Sequence, residues 1–242
     1  MKKECLIFFI IVLILPLIVG FLSIGRAQAV EKSDYISLQA DIMTDDVSMI
    51  KLRDISQSYD WQLAFNGDKR IVIVNNGEKR VEIKINSSEF AKNELEVSPV
   101  IKQGRTYIDF NLFKLILKEL EEEIPEIITI LNLDKNSVEA GEEITANILV
   151  HNFSNQEITL NYSSGQLYDL FLLSKEKEIW RWSEGKMFTM ALVSKDLASG
   201  DQLSYSEKIP IPYDLKSGEY IITGEIATRE RLELPDIKIE VN

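Results

Sequence analysis

Residues 144–151 read Ile144-Thr145-Ala146-Asn147-Ile148-Leu149-Val150-His151, with Ile144, Ala146, Ile148 and Val150 recurring at every second position. That period marks an extended chain, because successive side chains of a strand point to opposite faces. It returns at Ile158, Leu160 and Tyr162, and further strand candidates follow at residues 167–173, 178–182, 188–193, 202–209, 220–226 and 237–241. Turn chemistry separates them: Ala140-Gly141, Ser163-Ser164-Gly165, Ser199-Gly200-Asp201 and Ser217-Gly218-Glu219. Glycine admits positive φ, and serine and aspartate side chains bond their own backbone. Short strands at regular spacing predict an all-β, immunoglobulin-like antiparallel sandwich over residues 127–242.

Upstream, residues 33–118 mix two periods and predict an α+β domain of short helices and antiparallel hairpins. Leu52, Ile55 and Tyr59 recur at helical spacing, with Asp45, Asp46 and Ser48 as candidate caps before them. Trp61, Leu63 and Phe65 then share one strand face, Asn66-Gly67-Asp68 turns into Ile71-Val72-Ile73-Val74, and Asn75-Asn76-Gly77 turns into Val81, Ile83 and Ile85. Three consecutive antiparallel strands are expected. Ile50-x-Leu52-x-x-Ile55 recurs 58 residues later as Ile108-x-Phe110-x-x-Phe113, so the region reads as two related halves. Residues 119–126 are the sharpest composition shift. They read as a solvated, acidic linker ending near Pro125.

Two family resemblances accompany these patterns. Ile50-Lys51-Leu52-Arg53-Asp54-Ile55, Trp61-Gln62-Leu63-Ala64-Phe65-Asn66-Gly67 and Pro99-Val100-Ile101-Lys102-Gln103-Gly104-Arg105-Thr106-Tyr107-Ile108 make residues 40–118 resemble the copper amine oxidase N-terminal-like, or stalk, domain of exported bacterial proteins. The resemblance implies no copper site, since copper(II) favours imidazole and this region holds no histidine. Farther on, Asn152-Phe153-Ser154-Asn155, Ser164-Gly165-Gln166-Leu167-Tyr168-Asp169, Glu178-Ile179-Trp180-Arg181-Trp182-Ser183, Lys186-Met187-Phe188-Thr189 and Gly218-Glu219-Tyr220 follow in the order of the BsuPI intracellular proteinase inhibitor family. That resemblance spans residues 132–227 and implies an all-β domain without cofactor, in a family associated with proteinase inhibition.

The chain starts Met1-Lys2-Lys3-Glu4, is almost wholly apolar from Cys5 to Ile24, and reaches Ala27-Gln28-Ala29. This reads as a signal peptide over residues 1–29, which implies a secreted or cell-surface protein. The alternative is an uncleaved membrane anchor, which Pro16 and Gly20 weaken as a helix. Cleavage removes Lys2, Lys3, Arg26 and Glu4, so the net charge moves from −12 to −14. Such a surface repels phosphate backbones, which argues against nucleic acid as a partner. The single cysteine, Cys5, leaves with the leader, so stability must come from packed cores rather than disulfides.

Trp180 and Trp182 fall on one face of a strand and Arg181 on the other. The indoles are expected to close a core, with Phe188, Gly218 and Tyr220 completing the structural signature. An indole or Arg181 at an exposed rim would instead anchor a partner. Candidate partner contacts are Arg181, Ser183, Glu184 and Lys186 at a turn, together with Gln166, Tyr168 and Asp169 after another. Tyr168 and Asp169 also fit a buried hydroxyl and a turn-stabilising carboxylate. His151, the sole histidine, is expected to face solvent at a strand end. No nucleophile signature, phosphate loop or metal-ligand spacing accompanies it, so no catalytic residue, metal or cofactor is assigned. The expectation is an exported, non-catalytic binding protein that docks on a serine proteinase or an envelope protein. The alternative is an envelope structural or attachment protein.

Overall fold

The computed structural model describes residues 35–39, 42–43 and 49–242. The leader expected over residues 1–29 and the candidate caps Asp45, Asp46 and Ser48 lie outside the described residues. The N-terminal half comprises β1 (Tyr35–Gln39), β2 (Ile42–Met43), β3 (Met49–Lys51), α1 (Leu52–Ser58), β4 (Gln62–Asn66), β5 (Ile71–Asn75), β6 (Arg80–Lys84), β7 (Glu89–Phe90), β8 (Asn93–Glu94), β9 (Val100–Lys102), β10 (Arg105–Asp109) and α2 (Phe110–Leu120). The cap position of α1 is Lys51, whose side chain makes no capping bond. α2 is capped by Asp109, which accepts from the Leu112 amide at 2.9 Å.

The internal echo has a structural counterpart. β3 runs straight into α1 and β10 straight into α2. The two strands pair antiparallel with Ile50 opposite Ile108, Lys51 opposite Tyr107 and Met49 opposite Asp109, so equivalent residues sit about a local twofold. Beside them β4, β5 and β6 form the expected meander. α2 buries Phe110, Leu112, Phe113, Ile116, Leu117 and Leu120, a stripe at helical spacing.

The C-terminal half comprises β11 (Ile127–Leu133), β12 (Ser137–Val138), β13 (Glu143–Asn152), β14 (Ile158–Tyr162), β15 (Tyr168–Ser174), β16 (Lys177–Arg181), β17 (Val193–Leu197), β18 (Gln202–Pro210), β19 (Gly218–Ile226), β20 (Leu232–Glu233) and β21 (Ile237–Val241). One sheet runs β1-β11-β13-β18, with β1 parallel to β11. A second runs β12-β21-β19-β15-β16, and β14 pairs with β17. Ile144, Ala146, Ile148 and Val150 of the first sheet share a core with Leu170, Leu172, Ile222 and Ile239 of the second. The chain is thus β-rich, its strand pairs antiparallel except β1–β11 and β12–β21, with two helices among the described residues.

Two expectations need correction. Residues 188–193 were expected as a strand, yet the strand begins only at Val193, because no neighbouring strand accompanies 188–192 to complete a ladder. β16 ends at Arg181, so Trp182 falls in the following turn rather than on the strand.

β11 lay outside the strand candidates because it does not alternate in polarity: Ile127-Ile128-Thr129-Ile130-Leu131 are all at most 2% exposed. Ile127 and Leu131 enter the core shared by the two large sheets, whereas Ile128 and Ile130 enter a second core with Phe113, Ile116 and Val74 of the N-terminal half. Leu149 and Phe153 join that second core from β13 and its end. The stretch before β11 is held as well. Glu122 accepts from Trp61 Nε1 at 3.2 Å and Asn76 Nδ2 at 2.8 Å, and the Glu126 carbonyl accepts from the Phe153 amide at 2.8 Å.

A shared strand should make both halves unfold together. Ile130→Ala removes a fully buried side chain from the second core, and about 2–4 kcal/mol of stability should go with it. In urea titrations, Trp61 fluorescence should move with that of Trp180 and Trp182; a shifted Trp61 transition beside an unshifted C-terminal one would separate the halves.

Candidate functional site

Four rings run from the C-terminal core toward the surface. Tyr205 lies 4.7 Å from Tyr168, Tyr168 lies 4.5 Å from Trp182, and Trp182 stacks on Phe188 at 5.8 Å. Lys186 closes the outer end with its ammonium 3.4 Å above the indole of Trp182, a contact worth about 0.5–1 kcal/mol at an exposed position. Trp180 packs on the same core as a partly buried residue. The Tyr168 hydroxyl donates to Glu207, and burial together with that carboxylate pushes its pKa up.

Asp169 fixes this region from within. The carboxylate is 2% exposed and accepts from Ser183 Oγ at 2.6 Å, the Ser183 amide at 3.1 Å, the Leu170 amide at 3.0 Å and Gln166 Nε2 at 3.1 Å. Arg181 grips Glu178 through Nη2 at 2.6 Å, sits 3.9 Å from Asp169, and covers the Phe171 ring at 4.8 Å. Gln166, Ser183 and Asp169 therefore form an internal staple between the start of β15 and the turn after β16. Of the expected contacts, Glu184 and Lys186 are exposed, whereas Tyr168 and Asp169 are buried. Tyr220 is also buried and donates to the Lys216 carbonyl at 2.8 Å, while Gly218 opens β19 at φ +155°.

Beyond the turn lies a feature that the strand reading concealed. The chain from Lys186 to Met190 carries no regular structure, and it presents Met187 at 98%, Met190 at 92% and Leu192 at 69% exposure. Its backbone is nonetheless held, because the Gly165 amide donates to the Thr189 carbonyl at 2.9 Å. A Cβ on Gly165 would sit 2.5 Å from Thr189 Oγ1, so a larger residue there would force the Thr189 side chain to turn. Phe188 is tied to Trp182 on one side and β17 begins at Val193 on the other. A strand was expected over residues 188–193, but the structure leaves Met187, Met190 and Leu192 without an apolar partner surface.

His151 corrects the expectation of a solvent-facing imidazole. It is 5% exposed, stacks on Phe110 at 4.1 Å, and keeps Nδ1 buried without a hydrogen-bond partner. Burial, aided by the Lys114 charge, brings its pKa down to about 4. It borders a cleft of about 340 Å³ between the halves, along with Asp109, Phe110, Lys114, Asn152 and Phe153. Lys114 there donates to Asn155 Oδ1 at 3.0 Å, and Asp109 is engaged as a helix cap. Ser154 and Ser199 also line the cleft, and their hydroxyls are engaged, Ser154 Oγ donating to Asn152 Oδ1 at 2.7 Å and Ser199 Oγ to the Ser154 carbonyl at 2.7 Å. Among the described residues no group of three or more metal-ligating side chains forms, and no helix is long and apolar enough to cross a membrane.

Comparison with known proteins now bears on both halves. The model of the BsuPI family, intracellular proteinase inhibitor, matches residues 131–231, and that of the copper amine oxidase N-terminal domain matches residues 29–119. Each falls on the half whose residues resembled it. No curated protein matches the chain. Among solved structures, the sporulation control protein Spo0M of Bacillus subtilis aligns with TM-score 0.34 at 15% identity over 49% of this chain and 50% of its own. The C-terminal domain of wzt aligns with TM-score 0.32 at 13% identity over 50% and 72%. The alkylpurine DNA glycosylase AlkC of Pseudomonas fluorescens, bound to DNA containing an abasic site analog, gives TM-score 0.32 at 13% identity over 51% and 32%.

Two outcomes are expected here. Asp169→Ala strands four donors around an emptied site and should cost about 3 kcal/mol in a denaturant titration, with more rapid proteolysis between Trp182 and Val193 than in the parent. For His151, the folded pKa lies below the ordinary 6.5, so its stabilising effect is complete above pH 6.5 and is lost as pH falls toward 4. The loss should reach about 3 kcal/mol. Burial raises the pKa of Asp109, which acts in the opposite sense. Comparison with His151→Phe isolates the imidazole: equal acid sensitivity in the two proteins would rule its contribution out.

Proposed function

We propose that this chain is an exported, non-catalytic binding protein whose C-terminal half is an immunoglobulin-like sandwich that inhibits a proteinase through its loops. The carrying observation is the 187–192 segment: three large apolar side chains stand in solvent on a backbone held at Phe188, Thr189 and Val193. Burial in a partner's apolar pocket would gain about 1.5–3 kcal/mol for each side chain. The held backbone lowers the ordering cost of binding. The match of residues 131–231 to an inhibitor family supports a proteinase as that partner. Inhibition by this route is occlusion: Met187 or Met190 enters a cleft and the sandwich blocks access, with no covalent step.

Glu184 and Lys186 lie at the edge of this surface and set charge complementarity, while Arg181, Ser183, Gln166, Tyr168 and Asp169 position the loop from behind. The charged start Lys2-Lys3-Glu4, the apolar run from Cys5 to Ile24 and Ala27-Gln28-Ala29 support export, with a retained anchor as the alternative. A second reading, an envelope scaffold, is favoured by the stalk-type N-terminal half.

Titration against secreted serine proteinases that take large apolar side chains should give reversible, stoichiometric slowing of hydrolysis. Met187→Ser with Met190→Ser should weaken it by about 30-fold or more without altering the fold, since both residues are almost fully exposed. Absence of both binding and slowed hydrolysis removes the inhibitor reading. Retention in the wall fraction, unaffected by the double variant, would then favour the scaffold.

A further inference from the structure

The methionines are spread unevenly: Met1, Met43 and Met49 lie toward the N-terminus, and Met187 and Met190 share one loop. Met49 sits in β3, inside the β2-β3-β10-β9 sheet, and is 7% exposed. Met187 at 98% and Met190 at 92% stand almost wholly in water. The single cysteine is Cys5, so residues 6–242 hold no thiol, the group that oxidants ordinarily take first. Met187 and Met190 are therefore the most accessible sulfur atoms among the described side chains.

A thioether fills an apolar pocket about as well as a leucine side chain does, yet it can also be oxidised and restored. Neither side chain holds the loop in place. That task falls to Phe188 stacked on Trp182, to Lys186 over the same indole, and to the Thr189 carbonyl, which accepts from the Gly165 amide. Chemistry at Met187 and Met190 thus alters what the loop presents without loosening what presents it.

We infer that Met187 and Met190 form a reversible oxidation site whose reactant is hydrogen peroxide, and that their sulfoxides switch the loop from an apolar surface to a polar one. In each step the thioether sulfur attacks one peroxide oxygen, and an S–O bond forms as the O–O bond breaks. The second oxygen leaves as water with both peroxide protons. The sulfur loses two electrons and the peroxide gains them; sulfoxide reductases drawing on a dithiol reverse the change, one enzyme for each epimer. The sulfoxide oxygen is an acceptor that finds no donor in an apolar pocket, so a partner that takes Met187 or Met190 releases the oxidised loop. The effect on a partner rests on the binding role proposed for this loop, whereas the modification and the change of surface do not.

The whole chain is treated with dilute hydrogen peroxide at neutral pH and followed by peptide mass mapping. Met187 and Met190 should each gain one oxygen at least ~10-fold faster than Met49. At the dose that modifies the loop, retention on a phenyl matrix should fall, the urea midpoint should stay in place, and sulfoxide reductases should restore retention. Against a proteinase that the parent slows, oxidation should weaken binding by about 10-fold or more. Met187→Leu with Met190→Leu keeps the apolar bulk and removes both sulfurs, so this variant should match the parent before peroxide and keep retention and inhibition after it. Oxidation of Met49 at an equal rate, a lowered urea midpoint, unchanged retention, or peroxide sensitivity persisting in the leucine variant would each overturn the assignment. A parent and a leucine variant that slow no proteinase overturn the inhibitor reading instead, and the oxidation rates and retention still decide the site.

Discussion

Burial of β11 on both faces is the constraint on which the rest of this structure depends. A strand that faces solvent on one side can be polar at every second residue. Here Ile127 and Leu131 fill one core while Ile128 and Ile130 fill another, and neither set can be made polar without leaving unpaired groups in an apolar interior. The β1-β11-β13-β18 sheet is therefore the middle layer of the molecule. The two halves, which resemble different families, are joined through a wall that each needs to complete its own core.

The same layer explains the position of His151. Its strand neighbours Ile148 and Val150 point into the core between the large sheets, so alternation sends Leu149 and His151 toward α2. In an isolated sandwich that face would meet water. Here it meets Phe110, and the imidazole becomes an aromatic plate in a seam.

At the far end of the C-terminal half, a different principle governs. The 187–192 loop is held without being covered, and two internal devices achieve this. The Asp169 carboxylate gathers the turn after β16 through backbone and hydroxyl donors. The ladder from Tyr205 to Phe188 then carries rigidity outward from the core. Residues chosen for chemistry in the sequence, such as Ser183 and Asp169, act on one another and leave the exterior to Met187, Met190 and Leu192.

The period-two runs at Ile144–Val150 and Ile237–Val241, the Asn-Gly turns and the 58-residue echo were legible because they depend on local geometry. A strand shows its period wherever one face is wet, and a repeated β–α unit repeats its apolar spacing. β11 was not legible for the converse reason: burial on both faces erases the alternation that identifies a strand. Whether Phe188-Thr189-Met190-Ala191-Leu192 forms a strand or an exposed loop depends on a neighbour to complete the ladder, and that neighbour is a matter of topology. The sequence by itself thus determined the two modules and their order along the chain. Tertiary structure alone decided that they share a core, that the only histidine is buried in their seam, and which side chains remain in water, because each is set by contacts between residues distant in the chain.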